Sequence, residues 1–332
     1  MKDLIVDANF PRTEDNRVYH LGIRAGEVAN RIVTVGAPSR ARGIALYLDA
    51  SPKPFTLASE RGFTTITGRY KGVPISIVSI GMGYPNADFF VREVRECLSG
   101  DMVVVRLGSC GALIDTPVGS VVVPKSSVSV NRNYDFDFVT GDSHEPPYRI
   151  SKPVNADPVL HDAVPFLTTP RCRSFYSSQG RQTSFPDHNA DLIRQLKESH
   201  EDLGTLEMET FHILHLAASW PGQARVEQTI KPPISTLPVT PVISPPPQPS
   251  SQGQPPSVSE SDSHGDLMTP RPSIRAAAAQ MVFASRTSQE FITPEQVVEI
   301  EAWSGRAVLE ALTSLDLDQN RLHPERGSVW AL

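Results

Sequence analysis

The chain has 332 residues and a formal net charge of −6, with 39% hydrophobic and 20% charged residues. This mildly acidic balance argues against a broad nucleic-acid or anionic-membrane binder, and no apolar run reaches the length of a membrane span. Three cysteines (Cys97, Cys110, Cys172) without metal or redox spacing exclude a disulfide scaffold or zinc module; with no signal-peptide core at the start, they point to a reduced, cytoplasmic setting.

In chain order, residues 31–35 (RIVTV) read as a strand ending at Gly36. Residues 63–70 and 74–80, joined by Lys71-Gly72, read as a hairpin. Residues 86–98 carry Phe89, Phe90, Val94, Cys97 and Leu98 at helical spacing. A buried strand is expected over 101–107 and another over 119–123, then an apolar helix over 206–218; residues 276–284 fit strand or helix by composition, and Met281-Val282-Phe283 tips them towards strand. The last helix is the best signalled: Thr293 as N-cap, Pro294 at the first position and Gln296 closing a capping box, with Val297, Ile300, Val308, Leu309 and Leu312 on its apolar face.

Twelve of the 30 prolines fall within residues 231–272. Such a stretch lacks ladder donors and apolar area, so a disordered insertion is expected, with edges near Ser219 and Ile274. Strands interleaved with helices predict one α/β domain, residues 18–218 and 275–317, interrupted by 219–274 and flanked by tails at 1–17 and 318–332.

Two glycine-bearing stretches following strands carry arginines: Gly36-Ala37-Pro38-Ser39-Arg40 and Arg106-Leu107-Gly108-Ser109-Cys110-Gly111. Backbone N–H groups beside guanidinium forks can cradle a phosphate or carboxylate, although glycines at strand ends are more often plain turns. Neither is a Walker loop nor a dinucleotide fingerprint. Glu207 and Glu209 alone would read as acidic residues complementing a helix N-terminus.

Taken in order, GAPSR, RLGSCG, Glu207-Met208-Glu209-Thr210 and Phe175-Tyr176-Ser177-Ser178-Gln179-Gly180-Arg181 resemble the nucleoside phosphorylase-I superfamily, and its uridine-specific branch most closely. The resemblance implies a central mixed, twisted sheet surrounded by helices. It also implies phosphate-dependent cleavage of a pyrimidine nucleoside, with inorganic phosphate as co-substrate and neither metal nor organic cofactor. By the same resemblance, Gly36, Arg40, Arg106, Ser109 and a neighbouring subunit's copy of Arg61 bind phosphate. Glu207, Met208, Glu209 and a neighbour's His20 meet the ribose. Phe175, Gln179, Arg181, Phe283 and Arg286 meet the uracil, and Arg106, Gln179, Arg181 and Glu209 carry the catalysis. A homodimer with shared sites is the smallest competent unit, a hexamer of such dimers being left open.

The chain departs from the family pattern at Tyr84, where a turn glycine is usual, and at Gly62, where bacterial uridine enzymes carry a cation-binding glutamate; no such cation is therefore expected. Ala284-Ser285-Arg286-Thr287 lacks the aspartate of purine-specific relatives, so the base end reads as pyrimidine. Two other readings remain open: a purine phosphorylase or nucleosidase, and a non-catalytic nucleoside-sensing module.

Overall fold

Arg31–Val35 forms β1, buried along its whole length because it lies between two parallel neighbours. The computed structural model describes residues 4–141, 143–164, 176–200, 202–222 and 271–332. Further strands of the main sheet are β2 (Phe55–Ala58), β3 (Thr64–Tyr70), β4 (Val73–Ser79), β5 (Met102–Ala112), β6 (Val121–Val122), β7 (Thr205–Leu206) and β8 (Ile274–Ser285). Their order is β2-β3-β4-β1-β5-β8-β6, with β7 antiparallel on the far end of β5. The four central strands, β4, β1, β5 and β8, are mutually parallel, and the outer strands are antiparallel, which makes the expected mixed sheet.

Six helices accompany the sheet among the described residues: α1 (Pro38–Ala45), α2 (Tyr84–Cys97), α3 (Pro158–Ala163), α4 (Leu192–Ser199), α5 (Thr210–Ser219) and α6 (Pro294–Ser314). α1 packs on α6, and α2 on α5. The capping box predicted for α6 is present, with Gln296 N donating to Thr293 Oγ1 at 3.3 Å. The core joins the central strands to these helices through Ile32, Val33, Val104, Phe90, Val308 and Leu309 among others, each fully buried apolar side chain contributing about 1.5–3 kcal/mol.

The structure differs from the sequence reading in three places, the first two at the site. The stretch from Arg106 to Gly111 is not a turn: β5 runs through it to Ala112, held in parallel register with β8 from Met102↔Ile274 onward. The segment Glu207-Met208-Glu209 precedes α5 instead of lying on it, because Thr205–Leu206 is drawn into the sheet as β7. Residues 318–332, expected as a tail, pack on the domain: Trp330 is buried, and its carbonyl accepts from Arg69 Nε at 2.9 Å.

Phe175, Cys172 and residues 223–270, which make up most of the expected insertion, lie outside the described residues. Of its expected edges, Ser219 closes α5 and Ile274 opens β8.

Candidate active site

The C-terminal ends of the parallel strands converge, as ligand sites in α/β sheets do. Gly36 follows β1, and its carbonyl accepts from Gly81 N, just beyond β4, at 3.0 Å. A Cβ on Gly36 would stand 3.8 Å from Arg106 Nη2, so the backbone at this glycine lies beside the guanidinium of β5. Pro38 then opens α1, placing Arg40 in its first turn.

Arg106 is 3% exposed. Its Nη2 donates to Glu209 Oε2 at 2.8 Å, while Nε and Nη1 find no partner among the described residues. Buried donors left unpaired are costly, and charged ones more so. Two unpaired guanidinium nitrogens at the converging strand ends mark a place for an anion.

Arg40 is buried beside it. Its Nε donates to Glu301 Oε1 of α6 at 2.8 Å and its Nη1 reaches the Leu107 carbonyl at 3.4 Å. Burial lowers its pKa from the ordinary arginine value, with Glu301 opposing that shift. Its guanidinium also stands 5.7 Å from the Phe283 ring centre on β8. Ser109, on the same strand as Arg106, is exposed.

Glu209 divides its carboxylate between two partners: Oε2 meets Arg106 and Oε1 accepts from Gly83 N at 2.6 Å. Gly83 has φ 93°, a conformation glycine adopts without penalty, and it immediately precedes α2. Glu207 instead caps the backbone: Oε2 accepts from Glu209 N at 2.9 Å and from Thr210 N at 3.0 Å, which fixes the start of α5. Met208 is half-buried between them. Tyr84 opens α2 with its side chain half-exposed, its ring 6.0 Å from that of His212.

The other end of the site is a cleft of about 440 Å³ lined by Tyr176, Arg181, Gln182, Arg286, Glu290 and Phe291 among others. Gln179 is buried at the end of the short 3-10 turn Ser177–Gln179, and its carbonyl accepts from Arg286 Nη1 at 3.2 Å. The turn is held from outside: Asn189 Nδ2 donates to the Ser177 and Arg181 carbonyls at 2.9 and 3.0 Å, and Tyr148 OH lies 2.7 Å from Ser177 Oγ. Burial and the neighbouring Arg286 both lower the Arg181 pKa. A Cβ on Gly111, the penultimate residue of β5, would lie 3.9 Å from Arg181 Nη2, so the cleft adjoins the strand that bears Arg106.

Gly36, Arg40, Arg106 and Glu209 are thus brought together, with Ser109 on the strand of Arg106, Phe283 on neighbouring β8, Arg181 and Arg286 lining the adjoining cleft, and Gln179 buried against Arg286. His20 and Arg61 form a separate group. Arg61 hydrogen-bonds Tyr19 OH and stacks over the Tyr19 ring at 4.6 Å. His20 stacks on Phe89 with ring centres 3.7 Å apart, and its Nδ1 lies 2.6 Å from Glu93 Oε1. Both oxygens of the buried Glu93 also accept from the His20 backbone. Sequence reasoning missed Glu93 and Glu301, whose roles depend on contacts with residues far away in the chain.

The sequence of residues 30–220 matches the family model of the phosphorylase superfamily, and the chain belongs to that superfamily. A uridine phosphorylase of Thermococcus kodakarensis is 28% identical over 229 residues, covering 64% of this chain and 77% of the relative. A DeoD-type purine nucleoside phosphorylase of Oceanobacillus iheyensis is 28% identical over 206 residues, 62% of this chain and 83% of the relative. Among solved structures, a uridine phosphorylase of the oomycete Phytophthora capsici superposes with a TM-score of 0.76 at 35% identity, covering 95% of this chain and all of that one. A Trypanosoma brucei nucleoside phosphorylase, at 18% identity and TM-score 0.65, shares the fold. No helix among the described residues is long and apolar enough to cross a membrane.

Proposed function

We propose that the protein catalyses phosphorolysis of uridine to uracil and ribose 1-phosphate, a pentosyl transfer in pyrimidine salvage and nucleoside catabolism. The observation that carries this reading is Arg106, a buried arginine with one nitrogen on Glu209 and two without a partner among the described residues. Phosphate is the nucleophile, and no side chain is covalently modified. Arg106 and Arg40, with Ser109 and the backbone at Gly36, hold phosphate below C1′ of the ribose.

Glu209 and Met208 line the sugar, and the Glu209 carboxylate accepts from its hydroxyls and favours a cationic ring as the glycosidic bond loosens. Gln179 and Arg181 meet the polar edge of uracil, with Phe175, Phe283 and Arg286 around the base, and stabilise the negative charge that grows on it. Catalysis in this scheme is positioning and electrostatics. Phosphate is a co-substrate, and the scheme requires neither a metal nor an organic cofactor.

The catalytic unit in this reading is one domain that includes α5, β8 and the packed C-terminal stretch, with the segment between α5 and β8 as an insertion. It works in the cytoplasm as a homodimer in which His20 and Arg61 of each subunit serve the other's site. Among the described residues neither side chain touches Arg40, Arg106 or Glu209 of its own chain, which supports that exchange. Initial rates on uridine and inosine, each with and without phosphate, test the reading. Uracil release from uridine that needs phosphate is the expected result. Faster cleavage of inosine, or hydrolysis of uridine without phosphate, would contradict it.

A further inference from the structure

Between Ala276 and Ala284 on β8, Gln280 is the only polar residue, and it is fully buried. An amide in an apolar strand is unfavourable unless its hydrogen bonds are made. Here Nε2 donates to Thr210 Oγ1 at 3.0 Å, while Oε1 has no partner among the described residues. Its register partner on β5 is Gly108. A Cβ on Gly108 would lie 2.4 Å from Oε1 and 2.8 Å from Nε2, so glycine alone leaves the amide room.

These contacts join the two halves of the anion site. Gly108 lies two residues beyond Arg106 on β5, and Thr210, the first residue of α5, directly follows Glu209. The amide therefore touches both the strand that carries the guanidinium and the helix end that carries the carboxylate. We propose that Gln280 is a positioning residue for Glu209: by holding Thr210 against the sheet, it keeps the Glu209 carboxylate shared between Arg106 and Gly83 N. The proposal rests on the uridine phosphorolysis reading, in which Glu209 receives the ribose hydroxyls. An apolar side chain of similar volume would fill the same space without the unpaired Oε1, so stability alone does not favour glutamine here.

The test is Gln280→Met, assayed on uridine and on 2′,3′-dideoxyuridine, which lacks both hydroxyls, with the melting temperature measured alongside. The expected result is an unchanged or raised melting temperature and a loss of about five-fold or more in kcat/KM for uridine, the scale of one misaligned hydrogen bond, with little loss for the dideoxy substrate. Thr210→Val reproduces the loss, and the double variant is no worse than either single one, as expected of one shared contact. Equal losses on both substrates with a lowered melting temperature would reduce Gln280 to packing and overturn the proposal, as would unchanged uridine kinetics. A wild-type protein that cleaves both substrates equally well would instead sink the Glu209 reading, and this proposal with it.

Discussion

The phosphate end and the base end of the site are built differently. Arg106 and Glu209 are both buried, one on the long central strand β5 level with the end of β1 and the other at a helix start, and they hold each other at 2.8 Å. The base end hangs on a three-residue 3-10 turn fastened by Asn189 and Tyr148, with an open cleft on one side. The first is an extension of the hydrophobic core, and the second is a loop clipped to it. Damage at the first should spread through the domain, whereas damage at the second should stay local.

Substitutions can break this contrast. Arg106→Met removes the phosphate donor and strands Glu209 as a buried charge, a loss of about 3–5 kcal/mol that should appear in both melting temperature and activity. Calorimetric unfolding together with kcat/KM checks it; an inactive variant with wild-type stability would show that the pair is not part of the core. Arg181→Ala acts at the base end. It should cost roughly 2–4 kcal/mol in kcat/KM for uridine and leave the KM for phosphate and the melting temperature nearly unchanged. A matching rise in the phosphate KM would show that the two ends are coupled.

His20 and Arg61 make a third region, since among the described residues neither touches the phosphate end or the base end of its own chain. Mixing Arg61→Ala with Arg106→Met protein should restore activity, up to about a quarter of wild type if subunits exchange at random, since one site in each mixed dimer inherits neither lesion. Absence of recovery despite demonstrated exchange would return Arg61 to its own subunit. The smallest expected effect is at the clip. Asn189→Ala should cost about 1 kcal/mol, expressed as a higher KM for uridine with phosphate kinetics intact. A rise in the phosphate KM instead would place the clip at the wrong end.

The two ends were also unequally legible. β1 and the capped helix α6 could be read directly, because burial and capping leave local patterns in residues 31–35 and 293–296, whereas the alanine run of β8 fits either strand or helix until Met281-Val282-Phe283 tips it towards strand. The stretch from Arg106 to Gly111 resembled a glycine turn, yet it continues as strand, and its first glycine serves close packing: Gly108 makes way for Gln280. Glu207 was legible as an acidic residue near a helix start, and it does cap α5, but the entry of Thr205–Leu206 into the sheet depends on a distant partner on β5. Glu93 and Glu301 left no signal, since a carboxylate on an amphipathic helix looks solvated until His20 or Arg40 is brought to it. Gln280 did leave one, as an amide inside an alanine-rich strand.

The claim that bears the most weight is that the bare nitrogens of Arg106 receive phosphate. Calorimetric titration of inorganic phosphate into the wild-type protein and into Arg106→Met tests it most directly. The account predicts one phosphate bound per subunit in the wild type, with binding weakened at least about a hundred-fold in the variant, the scale of a lost charge-assisted contact in a buried site. Equal phosphate affinity in the two proteins would contradict it.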